Sequence, residues 1–340
     1  MTAETIEGTI LRGPEFEAIR GRVVVEDGTI RAVEVADVDG DAVVLPAFVN
    51  AHTHIGDSIA KEAGEGLSLE ELVAPPDGLK HRLLRQASRA ELVAGMSRSL
   101  SYMARAGTAA HVEFREGGVE GVEAIEAAGA DSDVESVVLG RETVDAMERA
   151  DGFGASGAND ADFDRERNAT RRAGKLFGIH AGEVDETDIH PALDLDPDFV
   201  VHMVHATEMH LERLADSETP VVACPRSNAA TGVGLPDLRA LAEHTTVALG
   251  TDNVMLNAPS MFREMEWAAK LSRLPARDVL AMATSNAADI AGLDCGVIAE
   301  GRPAKLLVLD GDSHNLDGVH DVVRGVVRRA TVDDVERIVL

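Results

Sequence analysis

The sequence predicts an α/β fold: a (β/α)8 TIM barrel carrying a small β-sandwich-like domain built from both chain termini. Three observations predict it. Through the middle of the chain, short apolar runs alternate with longer charged stretches rich in Ala and Leu, the pattern of repeated βα units. Eight such apolar runs can be counted, the number that closes a barrel. Both chain ends instead carry short strand-like runs punctuated by Gly, Asp and Asn. The 340 residues hold a barrel of ~250 residues and a small module. The expected division is 1–46 plus 296–340 for the β domain and 47–295 for the barrel.

Taken in order, Gly8 to Leu11, Arg22 to Glu26, Thr29 to Val35 and Ala42 to Leu45 read as strands, with Asp27-Gly28 and Asp39-Gly40 as turns. Barrel strands are expected near Ala47–Asn50, Ala109–Phe114, Ser136–Gly140, Gly152–Ser156, Leu176–His180, Phe199–His205, Val221–Ala223 and Thr246–Gly250. Helices are expected over Arg89–Ala106, Val119–Gly129, Thr143–Arg149, Asp162–Ala173, Glu208–Asp216 and Leu235–Glu243. The segment Glu65 to His81, with Pro75-Pro76, is the least regular and reads as a lid. Lys305 to Leu309, Val322 to Arg328 and Val335 to Leu340 read as strands that rejoin the N-terminal ones. There is no fixed-period repeat and no low-complexity linker.

Composition narrows the function. The apolar fraction is 45%, yet no apolar run approaches the ~18 residues of a membrane span. The start, Met-Thr-Ala-Glu-Thr-Ile-Glu, lacks the basic and apolar regions of a secretory signal, so a cytoplasmic protein is expected. Cys224 and Cys295 lack CxxC spacing and read as small buried residues. The net charge of -28 with only five lysines reads as a solvated acidic surface suited to high salt, a halophilic character. It argues against nucleic acid as a partner and disfavours strongly anionic substrates. A small-molecule substrate and no membrane partner are expected, with a homo-oligomer left open.

In a barrel of this kind the C-terminal strand ends face one mouth, so polar residues placed there share one site. The first barrel strand ends in Asn50-Ala51-His52-Thr53-His54, and the period of two puts both imidazoles on one face. The fifth ends in His180-Ala181-Gly182-Glu183. The sixth carries His202 and His205, the seventh runs into Cys224-Pro225-Arg226-Ser227-Asn228, and the eighth ends in Gly250-Thr251-Asp252-Asn253. Imidazoles with one carboxylate suit Zn2+ or Fe2+ and leave room for water, whose pKa such an ion lowers toward neutrality.

These segments, with Leu45 to Asn50 before them, resemble the amidohydrolase superfamily, in particular its mononuclear branch of cytosine deaminase-like and chlorohydrolase-like enzymes. Val297 to Asp310 is a weaker match to the return into the small β domain, and Ala47 stands where many relatives have Gly. The resemblance implies one divalent ion, Zn or Fe, on His52, His54, His180 and Asp252. It implies that Asp252 accepts a proton from the attacking water, Glu183 shuttles protons to substrate and leaving group, and His202 hydrogen-bonds the water or the developing oxyanion. Two-metal relatives use a carboxylated Lys on the fourth strand; Gly152 to Asp160 has none. The implied reaction is hydrolysis of a non-peptide carbon–nitrogen bond, foremost deamination of a pyrimidine, purine, pterin or triazine. Alternatives are a cyclic amidase, deacylase or chlorohydrolase on the same site and, in another class, a non-catalytic barrel scaffold. Arg115, Arg141, Asn159, His205 and Asn253 are candidate substrate contacts, as are Asp160, Asp57 and Lys61. An aromatic content of 3% leaves few platforms for stacking a flat ring. His111, on the second strand, is the other histidine to follow.

Overall fold

The computed structural model describes residues 3–73 and 76–340, and its strands fall into two sheets. In chain order they are β1 Ala3–Arg12, β2 Glu17–Glu26, β3 Thr29–Val35, β4 Val43–Pro46, β5 Phe48–His54, β6 Thr108–Arg115, β7 Glu135–Gly140 and β8 Gly152–Ala155. Then follow β9 Leu176–Ala181, β10 Phe199–His202, β11 Val221–Ala223, β12 Val247–Leu249, β13 Asp252–Asn253, β14 Leu306–Leu309 and β15 Val335–Val339.

The first sheet has the order β15-β14-β4-β1-β2-β3 and so draws on both chain ends. The β2–β3 hairpin turns on Asp27-Gly28, both with positive φ (48° and 73°), the conformation a two-residue turn needs to match strand twist. One face buries Ile6, Ile10, Val23, Ile30, Val44, Leu306 and Val308 as a core of its own. Antiparallel pairing of β4 with β14 sets Pro46 against Leu306, bringing the entrance to the barrel and the exit from it side by side.

The second sheet runs β12-β11-β10-β9-β8-β7-β6-β5-β13 with parallel neighbours throughout. β12 and β13 are two pieces of one strand separated by Gly250 and Thr251. β12 pairs with β11, whereas β13 pairs with β5, Asp252 opposite Thr53 and Asn253 opposite His54. That pairing closes the eight-stranded barrel. The seam is tight: a Cβ on Gly250 would lie 2.6 Å from His52 Cβ, so glycine alone lets the two strands approach. Asn50, buried on β5, fastens the same seam by accepting from Thr251 N (3.0 Å) and donating to Thr251 Oγ1 (2.7 Å).

Helices cover the outside as expected. Arg89–Arg105 opens with Ser88 and Glu91 in a reciprocal capping box, and Leu238–His244 opens on the Asp237 carboxylate. Three local expectations need correction. Val322–Arg329 is a helix, not a strand; its valines recur at helical spacing, burying Val323, Val326 and Val327. The sixth barrel strand stops at His202, because His202 and Met203 take positive φ (79° and 54°). Within the expected lid, Leu69–Val73 and Leu79–Gln86 are helical; Pro75 lies outside the described residues. Among the described residues no helix is long and apolar enough to cross a membrane. Cys224 and Cys295 are both buried thiols.

Candidate active site

The end of β5 builds one wall. His52 and His54 lie on the same face with ring centroids 4.9 Å apart, edge to face. Phe114, from β6, forms the floor beneath them, its ring 4.5 Å from that of His52 and 5.1 Å from that of His180. His180 from β9 stands 5.0 Å from the His52 ring. Its Nδ1 lies 2.7 Å from the Ala155 carbonyl. A carbonyl can only accept, so Nδ1 carries the hydrogen and Nε2 is left with its lone pair. Asp252, on the far side of the seam, puts Oδ1 3.3 Å from His52 Nε2 and 3.6 Å from His54 Nε2. Its other oxygen accepts from Ser227 Oγ at 2.5 Å.

Ligand atoms of His52, His54 and Asp252 lie within 4.8 Å of one another, as do those of His52, His180 and His202, and of Glu183, His202 and Asp252. His52 is fully buried, and among the described residues neither of its ring nitrogens has a hydrogen-bond partner. Unpaired imidazole nitrogens held in a buried site cost free energy unless something binds them. Neutral imidazoles around one carboxylate fit a divalent cation.

Electrostatics agree with that chemistry. Burial, reinforced by the nearby Lys80 ammonium, holds His54 neutral, with its pKa down to about 3. Burial likewise lowers His52 and, more strongly, His180. Burial alone would raise Asp252, but His52, its Nε2 3.3 Å from Oδ1, holds it well below the usual carboxylate range. Neutral imidazoles and an ionised carboxylate are the protonation states a metal requires. Glu183 differs. Burial raises its carboxyl, and its Oε2 lies 3.5 Å from His202 Nε2.

Beside this cluster stands a second one. Glu116 Oε1 receives Lys80 Nζ at 2.7 Å and Arg141 Nη1 at 3.3 Å and lies 2.9 Å from His54 Nδ1. Glu116 Oε2 receives Arg115 at 3.1 Å, and Arg115 also reaches Glu113 at 3.1 Å. Burial works against ionising Glu116, yet Lys80, His54 and Arg115 hold it well below the ordinary range. Glu113, more deeply buried and less compensated, is pushed up to about 7. Lys80 Nζ also donates to Asn253 Oδ1 at 3.0 Å. A cavity of about 1100 Å³ opens from this cluster, lined on the barrel side by Arg115, Glu116, Arg141, Phe153 and Gly154.

The sequence profile of the amidohydrolase family matches residues 43–335. The chain belongs to that family. It is a hydrolase with an α/β barrel. A putative aminohydrolase of Methanothermobacter thermautotrophicus is 36% identical, over 89% of this chain and 90% of that one. The 5-methylthioadenosine/S-adenosylhomocysteine deaminase of Halobacterium salinarum is 29% identical, over 98% and 90%. Among solved structures, an adenosine deaminase from Xanthomonas campestris with bound zinc superimposes with a TM-score of 0.82 at 20% identity, covering 99% of this chain and 91% of that one. At that identity the likeness speaks for the fold.

Within this amidohydrolase barrel the expected residues separate into groups. His52, His54, His180, Glu183, His202 and Asp252 converge at one mouth. Arg115 and Arg141 line the cavity, with Arg115 engaged by two carboxylates. Asn253 touches Lys80 and Asp252. Asn159 is exposed and donates to Thr187. His205 lies beyond the strand, half-buried, its Nε2 without a partner among the described residues. His111 is buried between Thr53 (2.9 Å) and Ser136 (2.8 Å); burial keeps it neutral, with its pKa lowered to about 3. Lys80, Glu116, Ser227 and Asn228 carried no role in the sequence reading. Glu116, Ser227 and Asn228 sit in segments already in view, one or two residues past strand ends or in the matched Cys-Pro-Arg-Ser-Asn run. Lys80 gave no such signal.

Proposed function

We propose that this chain removes the exocyclic amino group of a nitrogen heterocycle by hydrolysis, releasing ammonia. We propose further that one divalent ion, zinc or ferrous iron, is held by His52, His54, His180 and Asp252. Bound there, such an ion supplies Lewis acidity that lets water ionise near neutral pH. The observation that carries the reading is Glu183, a half-buried carboxyl with a raised pKa whose oxygen shares a 4.8 Å cluster with Asp252 and His202. A carboxyl whose surroundings favour its protonated form can hand that proton on.

The residues divide the work. Asp252, ionised and next to His52, takes a proton from the water as the carbon–oxygen bond forms. Glu183 protonates the ring nitrogen beside the attacked carbon, so that the ring carries no negative charge. His202 donates to the new oxygen. Asp252 passes the proton it took from water to the exocyclic nitrogen, the new hydroxyl returns its proton to Glu183 as the carbonyl forms, and the carbon–nitrogen bond breaks to release ammonia. Arg141 and Asn253 stand where they would contact the rest of the substrate. We take residues 47–295 as the catalytic unit and the acidic surface as a fit to a cytoplasm of high salt.

The relative from Halobacterium salinarum is named for adenosine derivatives, which places purines first in a screen that continues through pyrimidines, pterins and triazines. Ammonia release would be measured for the protein and for Glu183→Gln. The variant is expected to keep one metal equivalent by elemental analysis and to lose at least 100-fold in turnover, the lower end of a general acid's contribution. Unchanged turnover in E183Q would remove Glu183 from the reaction.

A further inference from the structure

The helix Pro225–Thr231 follows β11, begins with Pro225 in its first turn and ends at Gly232 in the left-handed conformation. Asn228 sits in that first turn, its backbone N–H bonded to Cys224 O at 3.0 Å, and its side chain is fully buried. Its Nδ2 lies 3.1 Å from His202 Nδ1 and 3.5 Å from Glu183 Oε1. The two partners also meet each other, His202 Nε2 to Glu183 Oε2 at 3.5 Å. Asn228, His202 and Glu183 therefore form a closed triangle of side chains from three different strand ends. The amide's oxygen, by contrast, has no partner among the described residues.

We infer that Asn228 is a positioning residue: its amide fixes the tautomer of His202 and the rotamer of Glu183 at once. Nδ2 can only donate, so a bond to His202 Nδ1 requires that nitrogen to offer its lone pair. In a neutral imidazole the hydrogen then resides on Nε2. An Nε2–H has no lone pair for a metal, which assigns His202 to donating toward an oxygen rather than to the ion's ligand set. His180 shows the opposite arrangement in the same site, its Nδ1 set against the Ala155 carbonyl at 2.7 Å and its Nε2 free to ligate. One acceptor and one donor placed behind two histidines thus sort them into ligand and hydrogen-bond donor. His202 is further held by its own backbone, with positive φ at His202 and Met203 locked by Met203 N to Ala181 O at 2.9 Å.

The inference rests on the proposed roles of His202 and Glu183, but its test does not need the substrate. With histidine labelled in ¹⁵N, long-range ¹H–¹⁵N spectra of the zinc-loaded protein distinguish the two tautomers, and a His202→Gln spectrum assigns the signal. The native protein is expected to show His202 as Nε2–H. Asn228→Asp places an acceptor where a donor stood and is expected to convert His202 to Nδ1–H at unchanged zinc content. For whichever heterocycle is turned over, kcat of that variant should fall about 100-fold with KM within about 3-fold, because the change touches proton donors rather than substrate contacts. Native His202 found as Nδ1–H, or an unchanged tautomer in N228D, would overturn the inference. The native spectrum decides it even where the variant fails to fold. A tautomer switch without ammonia release from any heterocycle would uphold the positioning role and count against deamination.

Discussion

Two buried clusters sit side by side at the barrel mouth and are finished in different ways. Around His52 the polar atoms are left incomplete, with both ring nitrogens unpartnered among the described residues. Around Glu116 the chain completes itself: Lys80, Arg115 and Arg141 supply three cations to Glu113 and Glu116. Incomplete coordination in a buried site marks a place where a ligand finishes the structure. Completed coordination marks a place where the protein finishes its own. The contrast predicts that damage to the first cluster appears in activity and damage to the second in stability.

The largest effect should come from the first cluster. Asp252→Asn is expected to lower turnover by roughly 1000-fold or more, since it would weaken the proposed metal set and remove the proposed proton acceptor for the water. Metal content and ammonia release measured on one preparation check this. A variant with full metal and full turnover would break the comparison.

Glu116→Gln tests the other side. It leaves Lys80, Arg115 and Arg141 short of a buried carboxylate, and orphaning one side of a buried pair costs about 3–5 kcal/mol. Denaturant unfolding of metal-free samples should show that loss for E116Q and a smaller one for D252N. The reverse order would mean that the carboxylate at the seam, and not the Glu116 cluster, holds the mouth together.

The smallest effect isolates charge balance from burial. Glu264 is as buried as Glu116 but has, among the described residues, Arg226 as its single ion-pair partner, at 3.2 Å, and burial pushes it from 4.5 up to about 7. Its pKa is higher folded than unfolded, so the folded chain binds the proton more tightly. Ionising it therefore costs stability progressively as pH rises from about 4.5 through about 7, to about 3 kcal/mol at most. Glu264→Gln cannot ionise. Relative to the native protein its Tm should improve between pH 5 and pH 8, and a pH-independent difference would refute the assignment.

The fold was legible because barrel strands and helices repeat in alternation, and the convergence of His52, His54, His180 and Asp252 because they end strands. Legibility failed where local propensity and period disagreed. Val322 to Arg329 is rich in β-formers, yet Val322, Val323, Val326 and Val327 follow the helical period, and the period prevailed through burial. The sixth strand was read three residues too long because left-handed backbone at His202 and Met203 leaves no trace in residue type. Lys80 was illegible for a different reason. It reaches Asn253 across 173 positions from a segment with weak pattern, and only the packing of Leu79–Gln86 over the mouth turns a lysine there inward. Glu116 was visible as a letter, but its three cationic neighbours come from separate elements, and a sequence does not display convergence.

The seam where β13 meets β5 has a consequence for how the protein comes into being. Asn50 and Thr251 are 201 positions apart, so during synthesis the first barrel strand must wait for almost the whole barrel to be made. His52 and His54 are present from the start of that interval, and Asp252 arrives at its end. Closing the barrel and completing the proposed metal site are therefore a single late event, in which the first and last strands are pinned by the same few residues. Metal supplied during refolding should then speed or secure the final closure more than any earlier step, making the ion a clasp as well as a reagent.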